Sequence, residues 1–209
     1  RMCSIARRNM VKQLVIGGDF FSQSQFSSFA NLVPPVSWAQ ERDAARELLR
    51  HMLDTFEAIY IVMGNHDRRL IKWADATLDE KDVFGMVITN SRVHVNKFAY
   101  CTIETTGGKW RVTHPANYRQ ARGQTPALLA DKLRMNVIAG HEHHTAMTYS
   151  PSGEYVAISI GGLYDAGKIA YVQLTDQLRP AMTPGFVMLR GGYPYLFGDK
   201  LTNWEAWGA

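Results

Sequence analysis

Four short runs of this chain hold residues that can bind a metal ion: Gly18-Asp19, Gly64-Asn65-His66-Asp67, Thr113-His114 and Gly140-His141-Glu142-His143-His144. Five of the seven histidines in the chain fall in these runs: the candidates His66, His114, His141 and His143, and His144 beside the last. Imidazole, carboxylate and amide oxygen together suit borderline divalent ions such as Mn, Fe, Zn or Ni. Taken one at a time, each residue has a plainer reading. Asp19 could be a turn or cap residue, Asn65 a turn residue with positive φ, and His114 a satisfied structural histidine. His51 and His94 lie outside the runs and read as helix surface and strand. His144 reads as a supporting or solvent-facing neighbour of the last run.

The segments just before these runs are what must position them. Gln13-Leu14-Val15-Ile16, Ala58 to Met63 and Asn136-Val137-Ile138-Ala139 are apolar stretches stopped by glycine. Such stretches are buried parallel strands ending in loops, and in open α/β sheets sites form beyond the carboxyl ends of the strands. Residues 2–12 read as the end of an amphipathic helix. Ser37 and Gln40 form a capping box for a helix running to about Phe56, with Ala45, Leu48, Leu49, Met52, Leu53 and Phe56 on its apolar stripe. A short helix with Leu70, Ile71 and Trp73 is expected after the second run. Residues 93–105 and Lys109–Thr113 read as strands around Gly107-Gly108. Thr125-Pro126 opens a helix ending near Arg134. A hairpin is expected to turn at Pro151-Ser152-Gly153, and residues 168–174 alternate as a strand. Residues 22–35 read as an irregular loop, and the chain beyond Pro180 carries no assignable pattern. No internal repeat or linker interrupts the chain, so one α/β domain spanning 1–209 is the expectation.

The four runs in this order resemble the calcineurin-like metallophosphoesterase family, whose motifs run Asp-x-His, Gly-Asp-x-x-Asp, Gly-Asn-His-(Asp/Glu), His and Gly-His-x-His. The resemblance covers roughly residues 10–145, with residues 146–209 as further strands and an aromatic tail. It implies an α/β β-sandwich flanked by helices in four αββα layers. It also implies two divalent metals, Mn2+ favoured and Fe, Zn, Ni or Mg open. Asp19 would bridge them, Asn65, His114 and His141 would complete one ligand set, and His143 would belong to the other. His66 would face the scissile phosphate as a catalytic residue, with Asp67 orienting it. The implied activity is hydrolysis of a phosphate ester, a phosphodiester favoured, by a hydroxide activated between metals about 3.5–4 Å apart.

Two departures qualify this. The Asp-x-His motif is absent, and its expected place lies immediately upstream of Arg1. The chain does not begin with methionine, so truncation before the first strand is the expectation. The second aspartate of Gly-Asp-x-x-Asp is replaced by Ser22. Gly18-Asp19-Phe20-Phe21-Ser22 and Gly64-Asn65-His66-Asp67 also differ from the protein-phosphatase branch of the family, which carries Gly-Asp-x-Val-Asp-Arg-Gly and Gly-Asn-His-Glu. The phosphodiesterase and nuclease-like branch is the nearer resemblance. The alternative reading is a scaffold of the same fold with a degenerate site, binding protein partners. Trp38, Trp73, Tyr118, Arg119 and Arg122 could line a substrate groove, although an ordinary surface or core role suits each. Tyr193, Tyr195, Phe197, Trp204 and Trp207 mark an aromatic tail that packs either on its own domain or on a partner.

The bulk numbers set the frame for these readings. With 46% hydrophobic and 20% charged residues the composition is that of an ordinary globular protein, not of a disordered or membrane chain. No apolar run approaches the roughly 18 residues that span a bilayer, and Arg1-Met2-Cys3-Ser4 lacks a signal-peptide pattern. Cys3 and Cys101 form no CxxC pair. Cys101 reads as a small buried hydrophobe, and a reducing, cytoplasmic compartment fits. A net charge of +4 permits a nucleic-acid or nucleotide partner without requiring one.

Overall fold

The structure, a computed structural model, describes residues 1–27, 36–117, 119–165 and 182–208. The protein is mixed α/β, with sheets flanked by helices, and the chain divides into two compact units near residue 99.

The first unit is built on a three-stranded parallel sheet of β1 (Gln13–Ile16), β2 (Ala58–Val62) and β3 (Val93–Asn96), in that order. The register sets Ile16 opposite Ile61 and Val62 opposite Asn96. Its helices are α1 (Met2–Arg8), α2 (Trp38–Leu53), α3 (Arg69–Trp73) and α4 (Glu80–Gly85). Ala6, Leu49, Met52 and Leu53 from the helices pack with Ile59 and Ile61 of β2 in one apolar core, closed by Phe21, Phe56 and Phe84. The helix starts follow from local chemistry. Ser37 accepts from the Gln40 N–H while the Gln40 side chain reaches back, which is the expected capping box. Asp79 and Asp82 form a second one at α4.

The second unit has a five-stranded mixed sheet ordered β4-β5-β6-β8-β7. Its strands are β4 (Tyr100–Thr105), β5 (Gly108–Thr113), β6 (Asn136–Ala139), β7 (Ala146–Tyr149) and β8 (Val156–Ser159). Helix α5 (Gln124–Leu133) lays Ala127 and Ala130 on Val137, Ala139 and Ala157. A separate hairpin joins β9 (Gly185–Arg190) to β10 (Tyr193–Gly198). Phe197 of β10 is buried. It stacks on Phe186 at 4.7 Å and meets Trp207 edge-on at 4.9 Å.

Several expectations are corrected. Residues 93–105 are not one strand: β3 pairs with β2, and the chain breaks at Asn96, whose side chain accepts from the Phe98 N–H. Helix α2 ends at Leu53 rather than near Phe56, and Leu48 is 45% exposed rather than in the apolar stripe. α1 stops at Arg8, short of residue 12. Cys101 is half-buried rather than buried, although burial still pushes its thiol pKa up. Of the two readings of His144, supporting or solvent-facing, its burial excludes the second. The strand expected over 168–174 and the position of Tyr118 lie outside the described residues. No helix among the described residues is long and apolar enough to cross a membrane.

Candidate metal centre

In the first unit, β1 and β2 run parallel, so their C-terminal ends deliver Asp19 and the Asn65–Asp67 turn to the same sheet edge. Gly64 permits their approach. A Cβ at Gly64 would lie 2.1 Å from Asp19 Oδ1 and 2.2 Å from the Asp19 nitrogen, so any side chain there evicts Asp19. The two segments then interlock. The His66 N–H donates to Asp19 Oδ1 at 2.9 Å. The fully buried Asp67 carboxylate accepts from the Asp19 and Gly64 N–H groups through Oδ2, at 2.9 and 2.8 Å, and from the Phe21 N–H through Oδ1 at 2.9 Å. Carboxylates that accept several backbone N–H bonds act as fixed turn braces. They also offset the cost of burying their charge.

His66 Nε2 stands 4.0 Å from Asp19 Oδ2, with the two side chains 21% and 14% exposed. Asp19 adopts φ 53°, the left-handed conformation that aspartate tolerates in turns. Asn65 is exposed and is not among the residues with positive φ. Ser22, which stands where the family motif has its second aspartate, is tied through its N–H to Glu41 Oε1 at 2.5 Å. Gln23 donates to the same carboxylate oxygen at 2.9 Å. Glu41 is therefore a brace that sequence reasoning missed. Its position in the first turn of α2 was the available signal.

In the second unit the parallel pair β5 and β6 ends in His114 and in the Gly140–His144 loop. The Gly140 N–H donates to the Thr113 carbonyl at 2.9 Å, which levels the two strand ends. His114 is buried, and its Nε2 lies 3.1 Å from His141 Nδ1. Two ring nitrogens at that distance cannot both present bare lone pairs to each other, so they share a proton or a cation. A divalent ion bound at about 2.0–2.1 Å holds neighbouring ligand nitrogens roughly 2.8–3.4 Å apart at angles of about 90–109°. The observed spacing fits a metal as well as a shared proton.

His141 and His143 both take left-handed φ, 77° and 57°. Between and after them, Glu142 and His144 turn into the protein, with side-chain exposures of 0% and 2%. Glu142 Oε2 lies 3.3 Å from His144 Nε2 and accepts from the Ser159 hydroxyl at 2.7 Å. Burial pushes the Glu142 carboxyl up, yet hydrogen bonding from His144, Thr125 and Ser159 and the nearby imidazole together hold it below the usual range. The His143 carbonyl accepts from the Thr183 N–H at 3.0 Å and from the Tyr164 hydroxyl.

No family model matches the chain, and no curated protein matches it. Two solved structures similar to it are of Vps29 from Entamoeba histolytica. A single mutant is 18% identical, with 89% of this chain and 97% of that chain covered and a TM-score of 0.41. The wild-type protein complexed with Zn2+ is 15% identical, with 88% and 90% covered and a TM-score of 0.38.

Proposed function

We propose that this chain is a divalent-metal-binding protein of the metallophosphoesterase type, with Asp19, Asn65, His114, His141 and His143 as its donors. The observation that carries the reading is the imidazole pair of His114 and His141, one ring buried and the facing nitrogens 3.1 Å apart. A bound divalent ion would supply Lewis-acid polarisation of a phosphate ester.

Two uses of the metal follow, from different classes. One is a protein-binding scaffold in which the metal holds loops together. Supporting it, Asp67 gives its carboxylate to three backbone N–H groups, and Ser22 brings no acid to the position where the family motif has one. The other is hydrolysis of a phosphodiester or phosphomonoester, with a nucleotide or nucleic acid as a candidate substrate. Supporting that use, His66 stands 4.0 Å from the Asp19 carboxylate, where it can protonate a leaving oxygen. The scaffold reading is at least as well supported as hydrolysis.

The experiment is a titration of metal-free protein with Zn2+ and Mn2+, followed by an assay of bis-p-nitrophenyl phosphate hydrolysis. Stoichiometric binding with no turnover selects the scaffold. Metal-dependent turnover that His66→Ala abolishes at unchanged metal content selects the enzyme. Absence of binding by folded protein overturns both.

A further inference from the structure

The loop after Gly140 holds two strained histidines and two withdrawn side chains. The two histidines with the donor spacing, His141 and His143, sit in left-handed conformations, while Glu142 and His144 are withdrawn from solvent. Left-handed backbone at a non-glycine residue is strained and persists only where the surroundings over-determine it. Two such residues separated by one position need a strong anchor between them.

We propose that Glu142 and His144 form that anchor, a positioning pair that aims the His141 and His143 imidazoles at a divalent metal; this rests on the metal-binding reading above. The pair is tied down on two sides. Ser159, the last residue of β8, donates its hydroxyl to Glu142 Oε2 at 2.7 Å. His144 Nε2 lies 3.3 Å from the same oxygen and 3.4 Å from the N–H of Gly123, the N-cap of α5. Through His144 the buried carboxylate is linked to the amino end of the ten-residue helix α5. An apolar residue at position 142 would fill the same space, so a fully withdrawn carboxylate held by the Ser159 hydroxyl and faced by the His144 ring points to a directional role. Ligand histidines elsewhere owe their aim to partners bonded to the ring, whose removal lowers metal affinity roughly 10- to 100-fold; Glu142 and His144 would act on their two neighbours through the backbone they anchor.

The test uses the full chain and Co2+ alone, read by its visible absorption and by direct titration. Glu142→Gln keeps the size of the side chain but removes the charge that holds the Ser159 hydroxyl and faces the His144 ring. It is expected to weaken Co2+ binding about 10- to 100-fold and to change the cobalt absorption envelope, which reports ligand geometry, in protein that is still folded by circular dichroism. Ser159→Ala removes one hydrogen bond only, and is expected to weaken binding several-fold with little change in melting temperature. It decides the matter if Glu142→Gln does not fold. Wild-type affinity and an unaltered cobalt spectrum in the folded variants would overturn the positioning role. Should wild type bind no Co2+, the metal reading itself fails; should it bind, and His141→Ala abolish binding while the anchor variants leave it intact, only this inference fails.

Discussion

Replacing Asp67 by Asn changes one atom and tests whether the first half of the site is held by a carboxylate brace. Oδ2 accepts from Gly64 and Asp19 at 2.8 and 2.9 Å, and Oδ1 from Phe21 at 2.9 Å. An asparagine that keeps its oxygen toward Gly64 and Asp19 turns its NH2 against the Phe21 N–H, setting donor against donor. One charge-assisted bond of about 1.5–3 kcal/mol is lost and the other two weaken to neutral strength by about 1–1.5 kcal/mol each, for a total of about 3–6 kcal/mol. For a chain of this length each kcal/mol moves the midpoint by about 2–4 °C, so Tm is expected to fall by about 6–24 °C. Asp67→Ala is the poorer choice. It orphans three N–H groups at about 1–3 kcal/mol each, a loss comparable with the whole stability of about 5–15 kcal/mol. Thermal unfolding followed by circular dichroism measures the effect. A Tm for Asp67→Asn within about 2 °C of wild type would refute the brace.

Other consequences are as direct. Gly64→Ala is expected to cost about 1–3 kcal/mol and to weaken metal binding, because its Cβ falls 2.1 Å from Asp19 Oδ1; denaturant unfolding and metal titration measure the two losses. Gly185→Ala is expected to destabilise the second unit by a similar amount, with the new Cβ 2.2 Å from Thr145 Cγ2 and 2.4 Å from the Phe197 carbonyl. Leu49→Ala empties a site that is 0% exposed and is expected to cost about 2–5 kcal/mol in urea unfolding. Ser37→Ala removes the acceptor of the α2 cap and is expected to cost about 0.5–2 kcal/mol in the same assay.

Much of the scaffold could be read from local chemistry. β1, β2 and β6 are short apolar runs stopped by glycine, and each appears where such a run was expected. The hairpin around residues 151–153 and the α2 capping box also rest on signals only a few residues wide. The misses came from signals that compete with periodicity. Residues 93–105 carry no glycine or proline to break them, and the break is made by the Asn96 side chain bonding forward to Phe98. Helix α4 is short and mostly polar, so only Asp79 and Asp82 announced it. The β9–β10 hairpin turns on Gly191-Gly192, both with positive φ, a two-residue signal obscured by the aromatic crowding around it.

The candidate site was legible as donor types at strand ends. The burial of Glu142 and His144 was not, because no sequence pattern says which residues of a five-residue loop turn inward. Nor was the role of Asp67 as a brace for three backbone N–H groups. That follows from where Asp19, Phe21 and Gly64 fall around it in space.

The central claim is that His114 and His141 are a metal-ligand pair, and calorimetric titration of Zn2+ into metal-free wild type, His114→Ala and His141→Ala addresses it most directly. The account predicts stoichiometric binding by wild type and a loss of at least about 100-fold, or about 2.7 kcal/mol, in either variant while both remain folded. Equal Zn2+ affinity in all three proteins, or none in folded wild type, would contradict it.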